Sequence, residues 1–225
     1  MLTSSHISVI RSDMKKAMRP RVRRLYRQKA RAEASEATAQ RIMEAFFECT
    51  KQRWFDEITL EEVARRAGVT VRTVIRRFGG KDGLLSSTFE HIAPRIRDQR
   101  TAAPGDIDGA ITRVLDLYEG LGDGAIRNLA QEPRHPALKV VMDLGRRGHR
   151  VITAEAFAPW LDPLPEDRRQ EALDAFVIAL DVYTWKLLRR DMGRSVQQTK
   201  AVMRGLVDGI LARYSASAPW SGGNL

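Results

Sequence analysis

Residues 67–85 read AGVTVRTVIRRFGGKDGLL, and the fold follows from how this stretch is divided. Gly68 permits a tight exit from a preceding helix, because it has no Cβ to oppose a left-handed backbone. Thr70 stands where an N-cap belongs, so the pattern predicts a short helix over Val71–Phe78 with Val74 and Phe78 turned inward at i and i+4. Gly79 and Gly80 end that helix, and Lys81 and Asp82 open another whose apolar side chains are Leu84, Leu85 and Phe89. Packing does not require three arginines, Arg72, Arg76 and Arg77, on so short an element. A surface that meets phosphate does.

Upstream, WFDEITLEEVARRAG places Thr59 as an N-cap and Glu62 three residues later, the spacing of a capping box. Val63, Ala64 and Ala67 then give that helix one apolar face. Before it, Thr38–Thr50 (TAQRIMEAFFECT) repeats Ile42, Ala45, Phe46 and Cys49 at helical spacing. Two short helices across a glycine turn, the first capped and the second rich in arginine, fit a helix-turn-helix. In that geometry the second helix lies in the major groove, with its N-terminal residues at base edges. Arg72 is then the expected base reader, and Val71 or the Thr73 methyl would meet a thymine methyl. Arg76 and Arg77 are expected on phosphates, which position the helix. Lys81, with the free N–H groups of its helix start, is a further phosphate site. Thr59 and Thr70, the two caps, complete the expected DNA-facing set.

The charge distribution supports the same division. The chain of 225 residues carries a net charge of +10, and residues 1–105 hold 22 Lys/Arg against 12 Asp/Glu. Residues 106–225 hold 16 of each sign, so all of the excess lies in the first half. A basic half joined to a neutral one implies one part that meets a polyanion and another with a different task.

Residues 1–36 carry ten Lys/Arg against three acids and are expected to be a partly disordered basic arm, either on the DNA backbone or simply solvated. Pro20 limits helix before it, whereas the composition from Val22 onward propagates helix well. Met14 and Met18 are alternative starts that would shorten the arm. A helix-turn-helix domain is expected over 37–100, in which Pro94 should bend or stop the fourth helix. A linker follows at 101–109 (TAAPGDIDG), then a helical domain over 110–215 and a disordered tail over 216–225. Pro136 and Pro165 fall at expected first-turn positions, and Ser195 is an expected cap for the last long helix. No alternating strand pattern exceeds four residues, so the fold class is all-α.

Helix Thr38–Thr50 followed by ITLEEVARRAGVTVRTVIRRFGGKDGLL resembles the N-terminal domain of the TetR-type transcriptional regulators, from about Ala39 to near Glu90. The resemblance rests on the threonine before the second helix, the Ala-Gly-Val turn, Thr73 with Val74, Phe78, and the Lys-acid-x-Leu-Leu start of the fourth helix. One departure stands out. Ile75 occupies a position where the family usually has a phosphate-contacting tyrosine, so that contact is missing, and Arg76 and Arg77 or an Ile75–thymine contact would replace it.

The resemblance implies a C-terminal domain that dimerises and, in most members, holds a small-molecule inducer. Two apolar stripes suit an isologous interface between copies: Phe176, Leu180, Tyr183 and Leu187, then Val202, Leu206, Gly209 and Ile210 with Arg213. The expected pocket residues are Tyr118, Met142, Phe157, Trp160 and Trp185, with Arg146 and His149 as polar contacts. Aromatic and Met residues at helical spacing are, however, more often core than pocket lining. A pocket so lined suits a mostly apolar molecule.

Other chemistry finds little support. His6, His91, His135 and His149 share no ligand spacing and Cys49 stands alone, so no metal, cofactor or disulfide is expected. FGGKDG lacks the P-loop pattern, and no catalytic set is recognisable, so the protein is not expected to be an enzyme. No stretch is long and apolar enough for a membrane span, and the first residues lack a signal-like apolar core, so a cytoplasmic location is expected. The expectation is a homodimeric regulator, a repressor that releases a palindromic operator on ligand binding. The alternative is a dimeric DNA-binding architectural or interaction protein without an effector.

Overall fold

The computed structural model describes the backbone of residues 4–215 and the side chains of residues 27–214. The expected disordered tail at 216–225 lies outside the described residues. Among the described residues there is no strand, and the chain folds as ten α-helices with short 3-10 and π-helical turns. The helices are α1 (Ser4–Gln52), α2 (Leu60–Ala67), α3 (Val71–Phe78), α4 (Lys81–Arg100) and α5 (Ile107–Gln131). They continue as α6 (Pro136–Ala156), α7 (Ala158–Leu161), α8 (Glu166–Ala179), α9 (Val182–Lys186) and α10 (Val196–Ser215).

The first difference from expectation is α1. It begins at Ser4, so the basic segment expected to be partly disordered is continuous with the first core helix. The Arg, Lys, Gln, Ala and Glu residues that dominate it are good helix formers, and they outweigh the cost of Pro20. Pro94 likewise does not stop α4, which runs on to Arg100. Pro136 does open α6 as expected, whereas Pro165 precedes α8 as its cap residue instead of entering the first turn.

Two apolar clusters hold the chain together. The first joins Ala39, Ile42, Phe46 and Cys49 of α1 with Phe55, Ile58, Val63, Ala64, Ala67, Val74, Leu84 and Leu85. Cys49 is fully buried there as a small apolar side chain, and burial pushes its thiol pKa up. The second cluster collects α5, the end of α6 and helices α7 to α10 around Phe157, Phe176 and Trp185. The stacked rings of Phe157 and Phe176 lie 4.1 Å apart.

The charge boundary and the packing boundary do not coincide. Leu138 and Val141 of α6 are buried in the first cluster, while Ala156 at the other end of α6 belongs to the second. The expected linker is docked too: Ala102 is buried in the second cluster, and the Gly105 amide donates to the Ala156 carbonyl at 2.9 Å. Two glycines on α5 let neighbours approach closely. A Cβ at Gly122 would sit 2.4 Å from the Trp185 ring, and one at Gly124 would sit 3.0 Å from the α1 backbone at Lys51.

Candidate nucleic-acid interface and adjoining cavity

Capping builds the second and third helices. The Thr59 side chain accepts from the Glu62 amide at 3.2 Å and starts α2. Glu62 does not complete a reciprocal box, because its carboxylate is held by Arg53 at 2.5 Å and Arg66 at 2.7 Å. Gly68, at φ +66°, ends α2 in the left-handed region, where its missing Cβ matters. Thr70 then caps α3, its hydroxyl accepting from the Thr73 amide at 3.2 Å and lying 3.0 Å from the Thr73 hydroxyl. Gly79, at φ +77°, closes α3 in the same left-handed way.

These caps fix which side of α3 faces out. Val74 is buried and Phe78 packs against the same cluster, so Arg72, Ile75 and Arg76 are exposed on the opposite side, with Val71 and Thr73 half-buried beside them. Among the described residues neither Arg72 nor Arg76 has an ion-pair partner. Two expected phosphate contacts are engaged elsewhere. Arg77 donates to the Ser35 hydroxyl at 2.6 Å and to the Glu36 carboxylate at 2.9 Å, tying α3 to α1. Lys81 donates to the Phe55 carbonyl, with its ammonium 4.3 Å from the centre of the Phe55 ring, and burial lowers its pKa. The sequence offered no sign of either contact, because Ser35, Glu36 and Phe55 are distant along the chain.

α4 leads from this surface to a cavity of about 670 Å³ between α4, α5 and α6 and the start of α9. Four expected pocket residues line it: Tyr118, Met142, Arg146 and His149. Three do not. Phe157 and Trp185 are completely buried in the second core, and Trp160 packs against that core. The aromatic pattern could not separate wall from core, because both use apolar side chains at helical spacing. Trp185 instead faces Gly122, and its indole N–H donates to Glu119 at 2.8 Å. Residues the sequence reading missed include Phe89, Ile96, Arg97, Arg100 and Ile152. Pro94, also on the wall, was the one available signal, since it interrupts the hydrogen bonding of α4 there.

The polar side of the cavity centres on His149. Its Nε2–H donates to the Val177 carbonyl at 3.0 Å, which leaves Nδ1 to accept from Arg100 at 2.5 Å. Burial, reinforced by the Arg100 charge, pushes the imidazole pKa down to about 4, so the ring is neutral at pH 7. The Tyr118 hydroxyl donates to the Leu180 carbonyl at 3.3 Å, and burial raises its pKa to about 12.

The expected dimer stripes divide between core and surface. Phe176 and Leu180 are buried at 1% and 3% exposure, whereas Tyr183 and Leu187 are 57% and 52% exposed. The expected stripe ran through all four. The break at Leu180–Asp181, where the Asp181 side chain caps α9, resets the helical phase between the two pairs. Ile178, 66% exposed, was missed and joins Tyr183, Leu187, Val202 and Leu206 on the surface. Gly209 is exposed and Ile210 half-buried, while Arg213 pairs with Glu171 at 2.8 Å. The Ser195 cap of α10 is present and reciprocal, with Gln198 N–H to Ser195 Oγ at 3.1 Å and Ser195 N–H to Gln198 Oε1 at 2.9 Å.

Among the described residues no three His, Cys, Asp or Glu side chains converge to hold a metal ion, and no helix is long and apolar enough to cross a membrane. Residues 42–88 match the sequence profile of the bacterial regulatory proteins of the tetR family. No curated protein is a significant match to the sequence. In three dimensions the chain is similar to a tetR-family transcriptional regulator from Streptomyces coelicolor, with a TM-score of 0.63 at 18% identity over 83% of this chain and 92% of that one. It is also similar to a Pseudomonas aeruginosa PAO1 protein assigned as a transcriptional regulator, with a TM-score of 0.61 at 15% identity over 78% and 93% of the two chains. Residues 42–88 therefore carry a tetR-type helix-turn-helix, within a fold similar over most of its length to that of a tetR-family protein.

Proposed function

We propose that the protein is a dimeric, sequence-specific repressor that releases a palindromic operator when a small, mostly apolar ligand fills the cavity between α4, α5 and α6. The observation that carries the DNA-reading half is the outward face of α3. Its first turn is capped by Thr70, and Arg72, Ile75 and Arg76 are exposed along one side while Val74 is buried. Arg72, in that first turn, reads a base edge. Arg76 holds a phosphate, and Ile75 contacts the methyl of a thymine. The uncapped amides at the start of α4 remain available to phosphate, although the Lys81 side chain is occupied.

Dimerisation is supported by exposed apolar side chains from α8 to α10: Ile178 and Leu206, which border one surface groove, with Tyr183, Leu187 and Val202. Apolar surface open to water is stabilised by pairing with its own copy. Two α3 helices related by a two-fold axis then meet half-sites ~34–36 Å apart, or a multiple of that spacing. The coupling runs through α4, which starts beside α3 at Lys81 and reaches the cavity through Phe89, Ile96 and Arg100. A ligand that favours one position of α4 shifts the spacing of the two α3 helices, and the operator affinity changes by the differential affinity of the ligand for the two states.

Selection from random duplex DNA at near-physiological salt tests the reading. The expected product is an enriched inverted repeat. Retention of DNA without enrichment would support the architectural alternative, because backbone contacts alone carry no sequence information.

A further inference from the structure

Three arginines border the cavity, and they differ in how their charge is met. Arg97 is paired with Glu155 at 2.7 Å, and Arg146 with Glu132 at 2.9 Å and Asp143 at 2.5 Å. Among the described residues Arg100 has no carboxylate partner. Its one polar contact is with neutral His149, its Nε is buried without a hydrogen bond, and its guanidinium lies 5.9 Å from the centre of the Tyr118 ring.

The two acids on the same wall do not change this. The Asp181 carboxylate caps α9 through the Tyr183 amide at 2.8 Å and stands 3.9 Å from His149. Glu90 also lines the cavity, but it lies ten residues before Arg100 on α4, or ~15 Å of helix rise. A partly buried cation without a counter-charge is costly, and an anion that brings one recovers that cost. The rest of the wall, with Phe89, Ile96, Leu129, Met142 and Ile152, is apolar. Phe89, Ile96, Ala125 and Met142 also border a second, smaller cavity of about 140 Å³, so apolar space continues away from Arg100.

Resting on the reading of this cavity as a ligand site, we infer that its ligand is an amphipathic anion: an apolar chain or ring whose terminal carboxylate pairs with Arg100. The guanidinium has a terminal nitrogen left to donate to a carboxylate, because among the described residues only the other one is engaged, by His149. Neutral His149 supports the other side of the fork through Nδ1, and the apolar body of the ligand lies along Phe89, Ile96 and Met142 toward the smaller cavity.

The test uses the full chain and two matched series of probes: hexanoate, octanoate, decanoate and dodecanoate, each against the alcohol of the same chain length. Binding is measured by titration calorimetry. The expected result is a preference of about ten- to a hundred-fold for the acid over its alcohol at the best chain length. Arg100→Gln should abolish the preference while leaving alcohol binding unchanged, and Arg100→Lys should retain part of it. If Arg100→Gln does not fold, the acid–alcohol ratio in the unsubstituted protein and in Arg100→Lys decides the matter. Equal binding of acid and alcohol, an equal loss of both in Arg100→Gln, or no binding of any probe would overturn the inference. A parallel DNA-retention measurement separates the two proposals. Acid binding without loss of DNA affinity leaves the anion site standing and sinks ligand-controlled release. Release by alcohols as readily as by acids does the reverse.

Discussion

The first four helices and the last six use the same amphipathic material in opposite ways. In α1 to α4 the apolar positions close a core around Phe46, Val74 and Leu84, and the chemistry is left on the outside, where Arg72 and Arg76 stand clear of it. In α5 to α10 the apolar positions close a second core around Phe157 and Trp185, but where α5 and α6 pack against α4 a cavity of about 670 Å³ remains, lined in part by Tyr118 and His149. The first arrangement suits a partner too large to enter the protein. The second suits one small enough to be enclosed. α6 belongs to both cores, through Leu138 and Val141 at one end and Ala156 at the other, so the halves differ in task without being mechanically separate.

Removing the centre of the second core tests that connection most severely. Phe157→Ala should destabilise the protein by about 3–5 kcal/mol, because the ring is fully buried and stacked on Phe176. With α6 shared, calorimetry should show one lowered transition for the whole chain. Two transitions, with only one displaced, would break the picture of coupled cores.

Acid should distinguish the halves next. An unfolded histidine titrates near its ordinary 6.5, whereas folded His149 is held at about 4 by burial and by the Arg100 charge. Between those values the unfolded chain binds the extra proton, so stability is retained above pH 6.5 and falls as pH drops toward 4. The full effect amounts to about 3 kcal/mol, because a tenfold change in proton affinity is worth about 1.4 kcal/mol. Urea midpoints measured across that window should decline in the unsubstituted protein and flatten in His149→Gln. An unchanged slope would mean that the ring is not held neutral.

Smaller effects belong to the helix-turn-helix half. Arg72→Ala should cost about 1–3 kcal/mol of discrimination at one base position, with little change in stability, as measured by competition between the preferred site and its single-base variants. Thr70→Ala removes the cap of α3 and should lower stability by about 1 kcal/mol in urea unfolding. If Thr70→Ala had no effect on either stability or DNA affinity, the caps would not be what orients α3.

The helix-turn-helix half was largely legible in the sequence because its instructions are local. Thr59, Gly68, Thr70 and Gly79 each act on residues within one turn, and a capping pattern read along the chain is the same pattern in space. What stayed hidden there depends on distant partners: Arg77 on Ser35 and Glu36, and Lys81 on the Phe55 carbonyl. The half that holds the cavity was legible only as helices. Whether Trp185 lines a cavity or fills a core depends on how closely α5 approaches it at Gly122, and that is a tertiary distance with no mark in the periodicity. The break at Leu180–Asp181 hid the exposed apolar side chains for the same reason, since the interruption of the helix there leaves Leu180 inward and Tyr183 outward.

The central claim is that the outward face of α3 reads sequence, and one parallel experiment tests it directly: selection from random duplex DNA with the unsubstituted protein and with Arg72→Ala. The account predicts an inverted repeat from the first, and from the second the same repeat with one base preference lost symmetrically in both half-sites. Identical motifs from the two proteins, or no enriched motif from either, would contradict it.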